Sequence, residues 1–166
     1  LRIVRTSSRH TIRGISRVLC QRGKAKLLDV RRYEKADESR VVAIWKACGL
    51  IVAWNDPVKD IARKLCHSPD SFLVGLCQGE IVATVMFGYD GHRGSVNHLA
   101  VTPSHQNRGL ARDLMRVVEA RLACHDCPKI NLMIRQSNLQ VEQFYQVNGY
   151  GQEPVVVMSK RLVTDD

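Results

Sequence analysis

Residues 99–111 read Leu-Ala-Val-Thr-Pro-Ser-His-Gln-Asn-Arg-Gly-Leu-Ala, an apolar run followed by polar residues and a glycine. The pattern predicts the end of a strand, a turn, and a loop that opens directly into a helix. The N–H groups of a first helical turn have no acceptor inside the helix, and the helix dipole is positive there, so such a site binds phosphate with little help from side chains. Gly109 lets the chain approach a ligand closely because it has no Cβ, and Ala111 adds little bulk two positions later.

The glycine spacing separates this loop from two other phosphate-binding loops. No Gly-Lys-Ser/Thr follows, which excludes a Walker loop. Only one of the three glycines of the dinucleotide-binding fingerprint is present, which excludes a Rossmann loop. The loop therefore belongs to another class of phosphate site.

Two motifs carry a resemblance to a known family. Residues 106–111, Gln-Asn-Arg-Gly-Leu-Ala, resemble the (Arg/Gln)-x-x-Gly-x-(Gly/Ala) signature of the GNAT N-acetyltransferases. Residues 138–150, Asn-Leu-Gln-Val-Glu-Gln-Phe-Tyr-Gln-Val-Asn-Gly-Tyr, are similar to the closing pattern of that family, with Val141 where alanine is usual. Residues 54–57 and 88–95 resemble in particular the small bacterial YpeA-type branch of the family.

The resemblance implies an α+β fold of the GNAT type. Its central sheet is mixed and mostly antiparallel, two parallel strands splay apart, and helices flank the sheet. Apolar periodicity places the elements in the order β-α-α-β-β-β-α-β-α-β. The predicted strands are residues 27–32, 71–77, 81–88, 95–101, 130–135 and 155–159, and the predicted helices are residues 37–48, 57–66, 108–123 and 138–148.

Basic residues are concentrated at the start of the chain. Residues 1–26 hold eight of the 25 Lys and Arg residues and none of the 16 Asp and Glu residues, so the rest of the chain is nearly neutral. The composition fits a transit peptide, a basic arm that binds acidic surfaces, or a non-native extension, and we favour the last. We expect residues 27–166 to form one domain. Because the charge excess lies in the extension, a nucleic-acid partner is not expected.

The six cysteines do not indicate a metal site. Cys124 and Cys127 form a C-x-x-C pair, but zinc needs two more ligands at a suitable spacing, and the sequence offers no second pair. We therefore expect no metal and a reduced, cytoplasmic protein. No apolar run approaches the roughly 20 residues of a membrane span, so no membrane association is expected. Dimers are common in the family, which leaves a homodimer as one open oligomeric state.

By resemblance, the cofactor is acetyl-CoA, used as a co-substrate. The family moves the acetyl group from the CoA thioester directly to an amine, in a ternary complex. Main-chain groups of Leu99 and Val101 would pair with the pantetheine arm. Asn138 matches a residue that contacts this arm or caps the last helix. The residues expected to hold the pyrophosphate are Gln106, Asn107, Arg108, Gly109, Leu110 and Ala111.

Two side chains are candidates for proton transfer. By resemblance, Tyr145 is the general acid of the family. A phenol with a pKa near 10 is protonated at neutral pH and can therefore deliver a proton to sulfur. Its alternative role is that of a buried core residue. His98 stands on the strand before the phosphate loop, where several family members place a glutamate, and is our candidate general base. The alternatives for His98 are an ordinary half-buried histidine or a water chain that replaces a dedicated base.

The sequence does not identify the acceptor. By resemblance it is a small-molecule or peptide amine. A protein that binds CoA for regulation or sensing, without catalysis, is the alternative. Trp54 lies in the loop between the first two helices; we expect it to pack over the core, with a position facing the substrate as the other choice.

Overall fold

The computed structural model describes residues 28–165 of the chain, so the predicted extension, residues 1–26, lies outside the described residues. Nine helices and strands follow one another in this part, joined by loops that include three short 3-10 turns. The strands are β1 (Asp29–Arg32), β2 (Phe72–Cys77), β3 (Glu80–Tyr89), β4 (Gly94–Val101) and β5 (Ile130–Asn131). The helices are α1 (Glu38–Ala47), α2 (Pro57–His67), α3 (Leu110–Ala123) and α4 (Leu139–Val147).

The sheet has the order β1-β2-β3-β4-β5, antiparallel from β1 to β4 and parallel between β4 and β5. Its two faces are covered by different helices. Trp45 of α1 and Ile61 of α2 belong to the core on one face, and Leu114 of α3 and Tyr145 of α4 belong to the core on the other. This arrangement confirms the predicted α+β fold, with a mostly antiparallel sheet between helices.

The parallel pair is hydrogen-bonded only at its start. Gly94 is paired with Ile130 and Ser95 with Asn131, and no later residue of β4 has a partner on β5 in the described chain. The two strands therefore part beyond Ser95. A gap opens beside the last six residues of β4, the half that leads into the phosphate loop.

The end of the chain differs from the prediction. Residues 155–159 do not form a strand, and β5 has two residues rather than the predicted six. The side chains of the run Val155 to Met158 are 63–91% exposed. Contacts on either side hold the run at other elements: Glu153 pairs with Lys129 at 2.8 Å, and Arg161 Nη1 donates to the Trp54 carbonyl at 3.1 Å. Local β-propensity predicted the strand, and tertiary context overrides it.

A buried hydroxyl connects α1 to the centre of the sheet. The indole N–H of Trp45 donates to Thr84 Oγ1 at 2.9 Å, and that hydroxyl donates to the carbonyl of His98 at 3.1 Å. Thr84 is fully buried. The hydroxyl thus satisfies two polar groups that have no access to water, and it holds β4 at the position of His98.

Replacing Thr84 with valine keeps the shape and leaves the indole N–H without an acceptor. We expect the free energy of unfolding to fall by about 1–3 kcal/mol, the cost of an unsatisfied buried donor. Urea unfolding at equilibrium measures the change. Thr102→Val is the matched control, because no side-chain hydrogen bond caps the turn that begins at Thr102. Equal stability of the two variants would contradict the role given to Thr84.

Candidate functional site

The loop between β4 and α3 presents a row of free main-chain donors. Within residues 28–165, none of the six N–H groups from Asn107 to Arg112 has a hydrogen-bond acceptor, and the first to find one is Asp113, which donates to Gly109 O at 3.0 Å. Gly109 has a φ of +82° and Asn107 a φ of +59°. These two residues have a left-handed backbone conformation, which turns the chain just before α3 and brings consecutive N–H groups to the start of the helix. Unpaired N–H groups at the positive end of a helix are donors of the kind that anions accept from.

A side chain fixes the loop against the sheet. Gln106 Nε2 donates to the carbonyl of Val101, the last residue of β4, at 2.9 Å. The same carbonyl accepts from Cys48 Sγ at 3.2 Å. These two hydrogen bonds hold the start of the loop against the end of β4, and a preorganised loop lowers the entropic cost of binding a ligand.

The loop opens into a cleft of about 600 Å³, a typical size for a small-molecule site. One wall is the end of β4 and the loop, and the other is α4. Most of the predicted cofactor-binding residues line this cleft, as does Tyr145, whereas Arg108, Asn138 and His98 do not. The lining residues that were predicted are Leu99, Val101, Gln106, Asn107, Gly109, Leu110, Ala111 and Tyr145.

Tyr145 is held in the wall of the cleft by two other aromatic rings. Its ring contacts Phe144 and Tyr150 edge to face, with centroids 5.0 and 5.2 Å apart. Burial raises the pKa of Tyr145 to about 12, so the phenol is protonated at neutral pH. In the described chain no group hydrogen-bonds to the Tyr145 hydroxyl, whereas Tyr150 OH donates to Glu119 Oε1 at 2.8 Å. The Tyr145 hydroxyl can thus donate to a ligand in the cleft.

His98 lies in a bulge of β4, where two residues oppose Val85 of β3. Its φ of +52° is a left-handed conformation that His tolerates better than most residues. The ring lies 4.3 Å from that of Trp45, and Nε2 is 3.9 Å from Asp60 Oδ2. Nδ1 is buried without a hydrogen-bond partner in the described chain. Burial lowers the pKa of His98, and the Asp60 carboxylate opposes this shift, so the ring is neutral at pH 7.

Asn138 caps α4. Its side chain accepts a hydrogen bond from Val141 N–H at 3.3 Å, as an N-cap residue does. Of the two alternatives for Asn138, contact with the CoA arm and capping, capping is the geometry present.

Sequence reasoning missed a polar group beside His98. Asp60 accepts from Asn55 Nδ2 and from Arg63 Nη1, the latter at 3.0 Å. The spacing of Asp60 and Arg63 places both residues on one face of α2, and this spacing is the sequence signal that could have identified Asp60.

Trp54, on the loop before α2, was expected to pack over the core. It is 58% exposed, so that prediction was wrong.

Residues 28–165 contain neither a cluster of metal ligands nor a helix suited to a membrane span. No three His, Cys, Asp or Glu side chains in this range come together as a metal site would require. Among the helices of the same range, none has the length and apolar character needed to cross a membrane.

The chain is similar to known acetyltransferases in sequence and in fold. The sequence model of the Acetyltransferase (GNAT) family matches residues 39–150. An acetyltransferase of Pectobacterium atrosepticum is 43% identical over 138 residues, and one of Yersinia enterocolitica is 41% identical over 138 residues; each match covers 83% of this chain and 98% of the relative. Among solved structures, AAC(6')-Iy in complex with a CoA-containing bisubstrate analogue has a similar fold, with a TM-score of 0.65, 18% identity, and coverage of 81% of this chain and 99% of that protein.

Proposed function

Because this chain belongs to the GNAT acetyltransferase family, we propose that it moves an acetyl group from acetyl-CoA to a primary amine by direct attack in a ternary complex. The observation that carries the proposal is the row of free N–H groups beside the gap between β4 and β5. A diphosphate would sit on the loop, and the thioester arm would reach back between the parted strands. Main-chain groups of Leu99 and Val101 would pair with that arm.

The reaction needs a proton at sulfur and the loss of one from nitrogen. The amine nitrogen bonds to the thioester carbonyl carbon, and the carbon–sulfur bond then breaks. Tyr145, with its hydroxyl unpaired in the described chain, supplies the proton to the leaving sulfur. His98, directly or through water, takes the proton that the amine loses. Tyr145 recovers its proton from solvent, so the net products are an N-acetyl amine and free CoA.

An acceptor screen tests the proposal. The purified protein is incubated with acetyl-CoA and a panel of amines, and the release of CoA thiol is measured. We expect release above the rate of hydrolysis with at least one amine. If the protein binds acetyl-CoA but releases none of its thiol across the panel, catalysis by this chain is contradicted.

One observation favours a CoA-binding regulatory or sensor protein as the second candidate. The His98 side chain contacts Trp45 and Asp60 and does not line the cleft, so the proposed base lies outside the proposed cofactor site. A regulatory protein would bind acetyl-CoA without turnover. The acceptor screen separates this candidate from the enzyme.

The pH profile tests His98 as the base. Burial lowers the pKa of His98, so the neutral form that can accept a proton persists below pH 6.5, and the acid limb of kcat/KM should lie below that value. Asp60→Asn removes the charge that opposes the effect of burial, so the limb should move to still lower pH. His98→Gln should remove the limb. An unchanged limb in both variants would show that another group is the base.

We further propose an acceptor class and a cellular location for the enzyme. The acceptor is a small-molecule or peptide amine; a structural relative that is an aminoglycoside acetyltransferase supports this class. A cytoplasmic location is supported by the cysteines of the described chain, which are free thiols.

A further inference from the structure

The side-chain carboxylate of Asp165 is bound at the start of α2. Asp165 Oδ2 accepts from the main-chain N–H of Asp56 at 2.9 Å and from Arg63 Nη1 at 3.2 Å, while Arg63 Nη2 donates to Oδ1. Lys59 Nζ donates to the Asp165 main-chain carbonyl at 2.6 Å. We call these donors of Asp56, Lys59 and Arg63 the carboxylate site.

The carboxylate site is built rather than incidental. The Asp165 side chain is only 6% exposed, although the neighbouring run from Val155 to Val163 lies largely in solvent. Arg63 binds the carboxylate with both terminal nitrogens, the geometry that distinguishes carboxylate recognition from a simple charge contact. The Asp56 carboxylate does not oppose the ligand, because it turns back to cap the N–H groups of Val58 and Lys59 at 2.7 and 3.3 Å.

The carboxylate site lies next to the proposed base. Arg63 also donates to Asp60, and Asp60 is 3.9 Å from His98 Nε2. His98 immediately precedes Leu99, which lines the cleft. The Asp60 carboxylate, which can bind a cation, and the candidate base His98 are therefore side by side, and the carboxylate site lies next to them through Arg63.

We propose that the carboxylate site takes the carboxylate of the acceptor, whose amine lies between Asp60 and His98. The acceptor is then an amino acid, and Asp165 is a stand-in that leaves when the acceptor binds. This inference rests on the proposed acetyl transfer for its chemistry. The charges match a zwitterion, because Arg63 and Lys59 face the acid end while Asp60 faces the ammonium end.

Binding measurements test the proposal without depending on turnover. The protein, saturated with CoA, is titrated with the standard L-amino acids and with their carboxamides, in which an uncharged amide replaces the carboxylate. We expect at least one amino acid to bind about tenfold or more tightly than its amide, as a charge-assisted pair predicts. Equal affinity of every acid and its amide, or no binding of any acid at about 10 mM, would overturn the proposal.

Variants locate the binding. Arg63→Gln should weaken the binding of the amino acid about tenfold or more and leave that of its amide unchanged. Arg116→Gln is the matched control, since Arg116 is also an exposed arginine paired with an aspartate three residues earlier. Asp165→Asn should strengthen binding of the amino acid, because the competing carboxylate is gone. If Asp165→Asn lowers only the melting temperature, Asp165 is an anchor and the proposal is wrong. If amino acids bind as expected but none is acetylated, acetyl transfer fails while the carboxylate site stands.

Discussion

Replacing Gly109 with glutamate is expected to weaken acetyl-CoA binding by about 100-fold or more. The φ of +82° disfavours any residue with a Cβ, and the new Cβ would lie 3.2 Å from Arg112 Nη2. The carboxylate would also stand beside the N–H groups that receive the pyrophosphate, where like charge repels the ligand. Isothermal titration with acetyl-CoA measures the loss.

The control for this variant must carry the same backbone strain without the phosphate site. Gly79 has a φ of +84° in the hairpin between β2 and β3, with open space where a Cβ would be. Gly79→Glu should therefore lower stability by a similar amount and leave acetyl-CoA affinity at the wild-type value. If Gly109→Glu binds acetyl-CoA as Gly79→Glu does, the loop is not the pyrophosphate site.

Removing the hydroxyl of Tyr145 is expected to lower kcat by about 100-fold or more, the usual contribution of a general acid. Tyr145→Phe deletes a group without a hydrogen-bond partner in the described chain, so stability and acetyl-CoA affinity should change little. The rate of CoA release at saturating acceptor measures the effect. A loss confined to KM would indicate that the hydroxyl only binds the acceptor.

Tyr150→Phe is the matched control for Tyr145→Phe. The two rings touch, but the Tyr150 hydroxyl donates to Glu119 and is already satisfied. We expect Tyr150→Phe to lose stability and to keep its kcat, the opposite pattern to Tyr145→Phe. Equal losses of kcat in both variants would assign the effect to packing of the aromatic cluster rather than to proton transfer.

The sequence predicted those elements that local chemistry specifies. Asp56 and Pro57 identified the start of α2 because an N-cap followed by proline is a strong signal, and the structure shows Asp56 as the N-cap and Pro57 as the first helical residue. The strand pattern of β4 and the glycine that opens α3 likewise agree with the structure to within two residues. These features depend on residues close together in the chain.

Features that depend on distant packing were missed. The run from Val155 to Met158 has the composition of a strand, but it pairs with no strand in the described structure. Period-2 patterning could not show that the bulge at His98 would turn its ring toward α2. The pairing of Arg63 with Asp60 and Asp165 joins residues up to 102 positions apart, beyond any local pattern.

We expect the exposed run from Val155 to Met158 to affect how the protein behaves in concentrated solution. A row of uncharged, mostly β-branched side chains favours self-association between molecules. Pro154 flanks this row on one side and Lys160 and Arg161 flank it on the other, and residues of these types oppose such association. Proline cannot extend a ladder between molecules, and the two cations repel their counterparts. Dissolved salt screens that repulsion while leaving the apolar attraction intact, so colloidal stability should decline as ionic strength rises.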